Sequence, residues 1–144
     1  MNGKIKSFIA GSVLGAIVYA IATYTLGFTS AIAIPNSIYT WTKINSVHTP
    51  ILFVWDLCVV QLLGVGLLAA AVSYLLVRST SLSWLYVAIG FVLTETCISY
   101  SWLFSSSFNQ HLPSDSYILY SPHFIVVFLC VFVAAQLGGK HKIF

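Results

Sequence analysis

The stretch His48–Arg78, HTPILFVWDLCVVQLLGVGLLAAAVSYLLVR, decides the fold. It is apolar over more than the about 20 residues that an α-helix needs to cross the hydrocarbon core of a bilayer. One acid, Asp56, lies inside it. Acidic side chains within membrane segments are rare, and they usually face protein, a cavity or another polar group. The stretch therefore predicts a transmembrane helix that turns Asp56 toward other parts of a protein.

The composition of the whole chain is that of a membrane protein. Of its 144 residues, 59% are hydrophobic and 6% are charged, whereas soluble domains average about 25% charged residues. Six Lys and Arg against three acids give a net charge of +3, and these few scattered charges exclude a nucleic-acid-binding surface. We predict one domain, residues 1–144, whose main partner is the lipid bilayer.

Three further apolar runs complete the prediction of an all-α fold, an integral membrane bundle of four transmembrane helices. Thr49 and Pro50 are typical of a helix start, since a capping side chain is followed by proline in the first turn. The predicted spans cover approximately residues 7–28, 50–77, 84–104 and 119–138, with outer loops at 29–49 and 105–118.

The basic residues predict the orientation of this bundle. With four spans, Lys43 falls alone on one side of the membrane, and five basic residues fall on the other: Lys4, Lys6, Arg78, Lys140 and Lys142. The positive-inside rule then places both the N-terminus and the C-terminus in the cytoplasm. We expect a multi-pass protein of the bacterial inner membrane.

Small residues recur at helical spacing on all four spans. Such faces let helices approach closely in lipid, and they exceed what a minimal bundle needs, so we expect a homo-oligomer or other membrane subunits as partners. On the first span the predicted face is Ser12, Ala16, Ala20, Thr23 and Gly27, with Gly11 and Gly15 beside it, and on the second it is Gly66, Ala69, Ala70 and Ser73.

Asp56 and Glu95 are the acids inside the spans. At a rise of about 1.5 Å per residue, Asp56 lies roughly 9 Å below the outer end of its helix, and Glu95 lies near the midplane. Gln61 falls nearer the depth of Glu95 and is placed to hydrogen-bond with it. With His123 assigned to the outer end of the fourth span, neither acid has a basic partner, and burial then favours the protonated acid.

Three interpretations of these acids remain open. The acids are neutral, hydrogen-bonded groups that fix helix contacts, or they dock a basic or polar group of another chain, or they move protons or cations along Asp56 and Glu95. The last interpretation is weakened because a relay needs a row of exchangeable groups leading to both sides of the membrane.

His48, His111 and His123 all fall on the outer side of the predicted bundle. Neutral imidazole is a common metal ligand, and four-helix bundles can hold a cofactor between facing side chains. The spacings of these histidines match no metal or haem motif. No cofactor is predicted, and haem or a transition metal remains an alternative.

The sequence contains no motif of nucleophilic catalysis, phosphate binding or zinc chemistry, which favours a non-catalytic role. Our leading hypothesis is a subunit or interaction module of a membrane complex, with Asp56, Glu95 and Gln61 fixing helix contacts. The main alternative is a small proton- or cation-coupled transporter or channel that uses Asp56 and Glu95. The second alternative is a haem- or metal-binding redox anchor that uses His48, His111 and His123.

Overall fold

The computed structural model describes residues 2–107 and 116–141. For residues 102–107 and 116–121 it describes the backbone only. Helices make up nearly all of the described chain. No strand occurs in the described ranges. The helices are α1 (Gly3–Ser30), α2 (Asn36–Ile44), α3 (His48–Ser79), α4 (Trp84–Ser107) and α5 (Ser116–Lys140).

Four of these helices are long and apolar enough to cross a membrane: α1, α3, the part of α4 from Trp84 to Ser101, and the part of α5 from Pro122 to Lys140. The prediction of an all-α bundle with four candidate membrane spans is confirmed. The short helix α2 lies within the segment 29–49 that the sequence predicted as an outer loop.

The four long helices form a ring in the order α1, α4, α5, α3. Helices α1 and α4 run in parallel, since Gly11 lies beside Val87 and Gly15 lies beside Phe91. The start of α4 is tied to the start of α1, because the Ser83 N–H donates to the Ser7 hydroxyl over 2.9 Å.

Two ends of the bundle can now be distinguished. The Lys4 ammonium lies 5.7 Å from the centroid of the Tyr86 ring, and Gly138 lies against the backbone near Arg78. We call the end that carries Lys4, Arg78 and Lys140 the basic end. We call the opposite end, where α2 joins α1 to α3, the α2 end.

Glycines set the contact between α1 and α4. A Cβ added at Gly11 would collide with the Val87 carbonyl oxygen, and one at Gly15 would lie 2.6 Å from the Phe91 carbonyl oxygen. The Ser12 hydroxyl donates to the Gly90 carbonyl oxygen over 3.3 Å. The backbones therefore meet where side chains are missing, which is how helices in lipid gain close packing.

The small-residue face predicted for α1 differs from the surface that meets α4. Ala20, Thr23 and Gly27 are exposed, and packing of this face against a partner or a second copy stays a prediction. The contact follows Gly11 and Gly15 because a helix approaches most closely where it has no Cβ. The buried residues of α1 are Ser7, Gly11, Gly15, Val18 and Ala22.

Helix α3 is not uniformly α-helical. Its middle part, Asp56–Gly66, is a π-helix, with α-helical parts at His48–Trp55 and Leu67–Ser79. Hydroxyls of α1 reach carbonyl oxygens of this segment: Thr29 donates to Val60 over 3.0 Å, and Thr25 donates to Gly64 over 2.5 Å. In a medium without water, such donors satisfy carbonyl groups at an irregular part of a helix.

The α1–α4 contact leads to a stability prediction. We expect Gly11→Ala or Gly15→Ala to lower the free energy of unfolding by about 1–3 kcal/mol, because the added methyl group forces the backbones apart. The matched control is Gly27→Ala, since a Cβ at Gly27 meets nothing within 4 Å. This control should be neutral, or stabilising by up to about 1 kcal/mol, through helix propensity. Unfolding in detergent, followed by circular dichroism, measures all three, and equal stability of Gly11→Ala and Gly27→Ala would contradict the packing.

Candidate functional site

Polar side chains from three helices form one connected row inside the bundle. We call Asp56, Gln61, His123, Glu95 and Ser99 the polar network. The Gln61 Nε2 donates to Asp56 Oδ2 over 3.4 Å, and Gln61 Oε1 lies 3.0 Å from His123 Nδ1. The His123 Nε2 lies 2.6 Å from Glu95 Oε1. The network joins α3 to α5 and α5 to α4.

Glu95 is the most completely buried member of the polar network. It is fully buried, while 13% of the surface of the His123 side chain is exposed. The Ser99 hydroxyl donates to the same Glu95 Oε1 over 2.8 Å. The second carboxyl oxygen, Oε2, is buried and has no hydrogen-bond partner among the described residues. Two other buried polar atoms of the described residues, Ser73 Oγ and Arg78 Nε, share this property.

Local sequence explains how α4 and α5 present these groups. Glu95 and Ser99 are one helical turn apart, on the face that also buries Ala88 and Phe91. On α5, His123 follows the buried Pro122. Further along α5, a Cβ at Gly138 would lie 2.7 Å from the Tyr74 carbonyl oxygen. This close approach fixes the register of α5 against α3.

The π-helical segment explains why Asp56 and Gln61 meet. In an α-helix with 3.6 residues per turn, side chains five residues apart are about 140° apart around the axis and do not touch. In a π-helix the backbone bonds run from residue i to residue i+5, which brings these two positions onto one face. Asp56 and Gln61 both lie in the π-helical segment. The α-helical periodicity used in the sequence analysis could not place them together.

The Gln61 amide lies between Asp56 and the imidazole. With its NH₂ group toward Asp56, its carbonyl oxygen faces His123 Nδ1, an arrangement that suits the tautomer with a proton on Nδ1. The contact between Nε2 and Glu95 Oε1 therefore holds one proton. The pair is an imidazolium with a carboxylate when this proton is on His123, and an imidazole with a carboxylic acid when it is on Glu95.

The structure thus changes the sequence-based account of both acids. The expectation that Glu95 lacks a basic partner is wrong, because His123 lies inside the bundle rather than at its outer end. Gln61 is placed between Asp56 and His123 rather than on Glu95. Asp56 is partly exposed, so the network runs from a partly exposed acid to a buried one.

The histidines proposed as metal or haem ligands have other partners in the described part of the chain. The His48 Nδ1 lies 3.0 Å from the Thr42 hydroxyl, and both ring nitrogens of His123 face side chains of the network. His111 lies outside the described residues. No group of three or more His, Cys, Asp or Glu that could hold a metal ion occurs among the described residues.

An apolar groove of about 520 Å³ lies beside the network, between α4 and α5. The edge of the His123 ring contacts Phe124, with 5.4 Å between ring centroids. Phe124 is also stacked on Tyr100 in the groove. The groove is lined by Val92, Thr96, Tyr100, Phe124, Ile125, Phe128 and Leu129.

The contact between Glu95 and His123 is testable by a double-mutant cycle. Glu95→Ala and His123→Ala should each destabilise the protein by about 3–5 kcal/mol, because each leaves the other partner buried and unpaired. The double variant should be more stable than the sum of the two effects implies, with a coupling free energy of about 1–3 kcal/mol. As a control we choose Cys97→Ala, since Cys97 is exposed on the same helix; its effect should simply add to that of Glu95→Ala. Additive effects of Glu95→Ala and His123→Ala would show that the pair does not interact.

Comparisons with protein-family models, with curated proteins and with solved structures give no match for this chain. The chemistry of the polar network is therefore argued from its own geometry.

Proposed function

We propose that this protein is a small proton-coupled membrane transporter in which the Glu95–His123 pair carries the coupled proton. The observation behind the proposal is the continuous hydrogen-bonded row from the partly exposed Asp56 to the fully buried Glu95. Buried carboxyl and imidazole groups inside membrane segments are the usual parts of proton relays.

The chemistry of the pair favours a proton over a metal cation as the coupled ion. The contact between His123 Nε2 and Glu95 Oε1 requires one proton in either of its forms. Hard cations such as Mg²⁺ and Ca²⁺ need about six or more oxygen ligands. In our proposal, Gln61 holds the imidazole in place, His123 passes the proton, and Glu95 stores it.

The proposed orientation follows from charge. The positive-inside rule assigns the basic end to the cytoplasm, which leaves the α2 end at the outer face of a bacterial inner membrane. His123 lies 17 residues from Lys140 along α5, or about 25 Å at the rise of an α-helix. The polar network then lies in the outer half of the bilayer, and Glu95 exchanges its proton with the outer side.

The groove beside the network suggests the class of solute. Its lining is mainly aliphatic and aromatic, with hydroxyls from Thr96 and Tyr100, as is typical of sites for small apolar ligands. We propose that an apolar or aromatic solute binds there, and that its contact with Phe124 is transmitted to the neighbouring His123 ring.

The proton site can be tested by infrared spectroscopy. In the purified protein, a pH titration followed by infrared spectroscopy should contain a carboxyl signal that is absent in Glu95→Gln, which keeps the shape but not the acid. In His123→Asn the frequency of this signal should change, because the imidazole that contacts the carboxyl group is gone.

The matched control for this titration is Asp56→Asn, a second acid-to-amide change in the same network. It should leave the Glu95 signal in place. In vesicles with a trapped pH indicator, a transported solute should cause proton movement in the wild type and none in Glu95→Gln. A Glu95→Gln protein that still couples solute uptake to protons would refute the proposal.

A second candidate function, a non-catalytic subunit or interaction module of a membrane complex, is favoured by a different observation. Ala20, Thr23 and Gly27 present small side chains on α1 that remain exposed. Small residues on a lipid-facing surface permit close contact with another helix. In this account the polar network fixes contacts among α3, α4 and α5, and α1 carries the partner or a second copy of the chain.

The intact mass of the complex, after gentle extraction from its native membrane, separates the two candidates. A mass equal to one or several copies of the 15.8 kDa chain supports a self-contained transporter. Extra mass from another polypeptide supports the subunit function. Substituting Ala20 with Leu should then release that polypeptide, whereas substituting the exposed Ile21 with Leu, about 100° around α1 from Ala20, should retain it.

A further inference from the structure

Helix α2 exposes almost its whole surface, apolar side chains included. Its buried residue is the polar Thr42, which is 1% exposed, while Trp41 is 55% exposed and Ile44 is 76% exposed. Ile38, Trp41 and Ile44 are spaced three residues apart, so they form one apolar stripe along the helix. The whole of this stripe is exposed.

The contacts of α2 hold it firmly at the α2 end of the bundle. The Thr42 hydroxyl donates to the Tyr39 carbonyl oxygen over 2.8 Å and lies 3.0 Å from His48 Nδ1. The Tyr39 ring meets the His48 ring edge-on, with 5.0 Å between centroids. Because His48 is the first residue of α3, these contacts fix α2 to the start of a membrane-spanning helix.

The short connections of α2 keep it at the same depth in the bilayer as the adjoining ends of α1 and α3. Five residues, 31–35, join it to α1, and three residues, 45–47, join it to α3. Helix α1 has 28 residues, or about 42 Å at the rise of an α-helix. That length matches a bilayer with its headgroup regions, about 40–45 Å, so the end of α1 lies among the headgroups and α2 lies beside it.

The side chains of α2 suit that position. Trp and Tyr are enriched at membrane–water interfaces, and α2 carries Tyr39 and Trp41. Its cation, Lys43, is exposed and lies 4.6 Å from the centroid of the Tyr39 ring. Around the helix, Lys43 lies about 160° from Trp41, the middle residue of the stripe, at the 100° step per residue of an α-helix.

We infer that α2 lies in the interface of the bilayer, with Ile38, Trp41 and Ile44 inserted at the boundary between headgroups and acyl chains. The partner is the lipid itself, because short connections join α2 to α1 and α3, whose ends near α2 also expose apolar side chains: Phe28 is 79% exposed and Leu52 is 40% exposed. Interfacial helices of this type bind through their buried apolar area. This inference does not depend on proton coupling.

The test uses Trp41 as the reporter of depth. The chain contains four tryptophans, at positions 41, 55, 84 and 102, so a Trp55→Phe, Trp84→Phe, Trp102→Phe variant of the full chain leaves Trp41 alone. In phosphatidylcholine vesicles, we expect lipids brominated near the headgroup to quench Trp41 more strongly than lipids brominated near the chain ends. Aqueous iodide should quench it less than it quenches free tryptophan.

A matched control moves the reporter to the polar face. In the same background, Lys43→Trp combined with Trp41→Phe should be quenched more by iodide and less by brominated lipid, since Lys43 is exposed on the side of α2 opposite the stripe. If the triple variant fails to fold, the difference in quenching between the wild type and Trp41→Phe reports on Trp41 directly.

Three results would overturn the inference. Iodide quenching as strong as for free tryptophan would place the stripe in water. Stronger quenching by the deeper bromines would place it within the hydrocarbon core. Protection from both quenchers would show that protein, such as a second copy of the chain, covers the stripe.

Discussion

The short contact between the Glu95 carboxyl and the His123 imidazole is the interaction on which the bundle depends. Burying a carboxylate in an apolar medium costs several kcal/mol unless a partner compensates it, and Glu95 is fully buried. His123 supplies that partner from α5, and Gln61 holds His123 in position from α3. The presence of an acid inside α4 therefore determines which faces of α3 and α5 must turn inward. The stability of the bundle and the proposed transport function therefore rest on the same two side chains.

The π-helical segment of α3 is the irregular stretch of backbone that connects the Glu95–His123 pair to Asp56. Such segments are rare, and they are frequent at functional sites. This one places Asp56 and Gln61 on one face and turns Val60 and Gly64 carbonyl oxygens toward Thr29 and Thr25 of α1. The irregular backbone is thus stabilised by α1 on one side and used by the polar network on the other. Helix α1 contributes no side chain to the network, yet its threonines help to maintain the geometry that the network needs.

The fold was largely predictable from sequence, because the length and hydropathy of a membrane span depend on local composition alone. The face of a helix on which each residue lies was less predictable. On α4, which is regular, α-helical spacing places Glu95 on the face of the buried Ala88 and Phe91. On α1, the same spacing grouped Ala20, Thr23 and Gly27, which are exposed, because residue size alone does not tell which small-residue face meets another helix of the same chain. The sequence did not predict the polar network, for two reasons. The π-helical segment changes the helical periodicity at Gln61. The prediction for His123 assumed that α5 begins at the membrane surface, which placed this residue at the outer end of the bundle.

The polar network and helix α2 follow from one physical constraint, acting at two depths. Within the hydrocarbon region, polar groups must find partners inside the protein, so Glu95 turns toward His123, and apolar side chains such as Leu93 remain exposed. At the end of the bundle the same preference buries Thr42 against His48 and leaves Trp41 outward. A soluble protein would reverse both arrangements, because its exterior contacts water. The two histidines therefore have equivalent structural roles: each accommodates a polar side chain that the surrounding lipid would exclude, and each joins two helices by doing so. They differ in their chemical use, since His48 contacts a hydroxyl whereas His123 shares a proton with an acid.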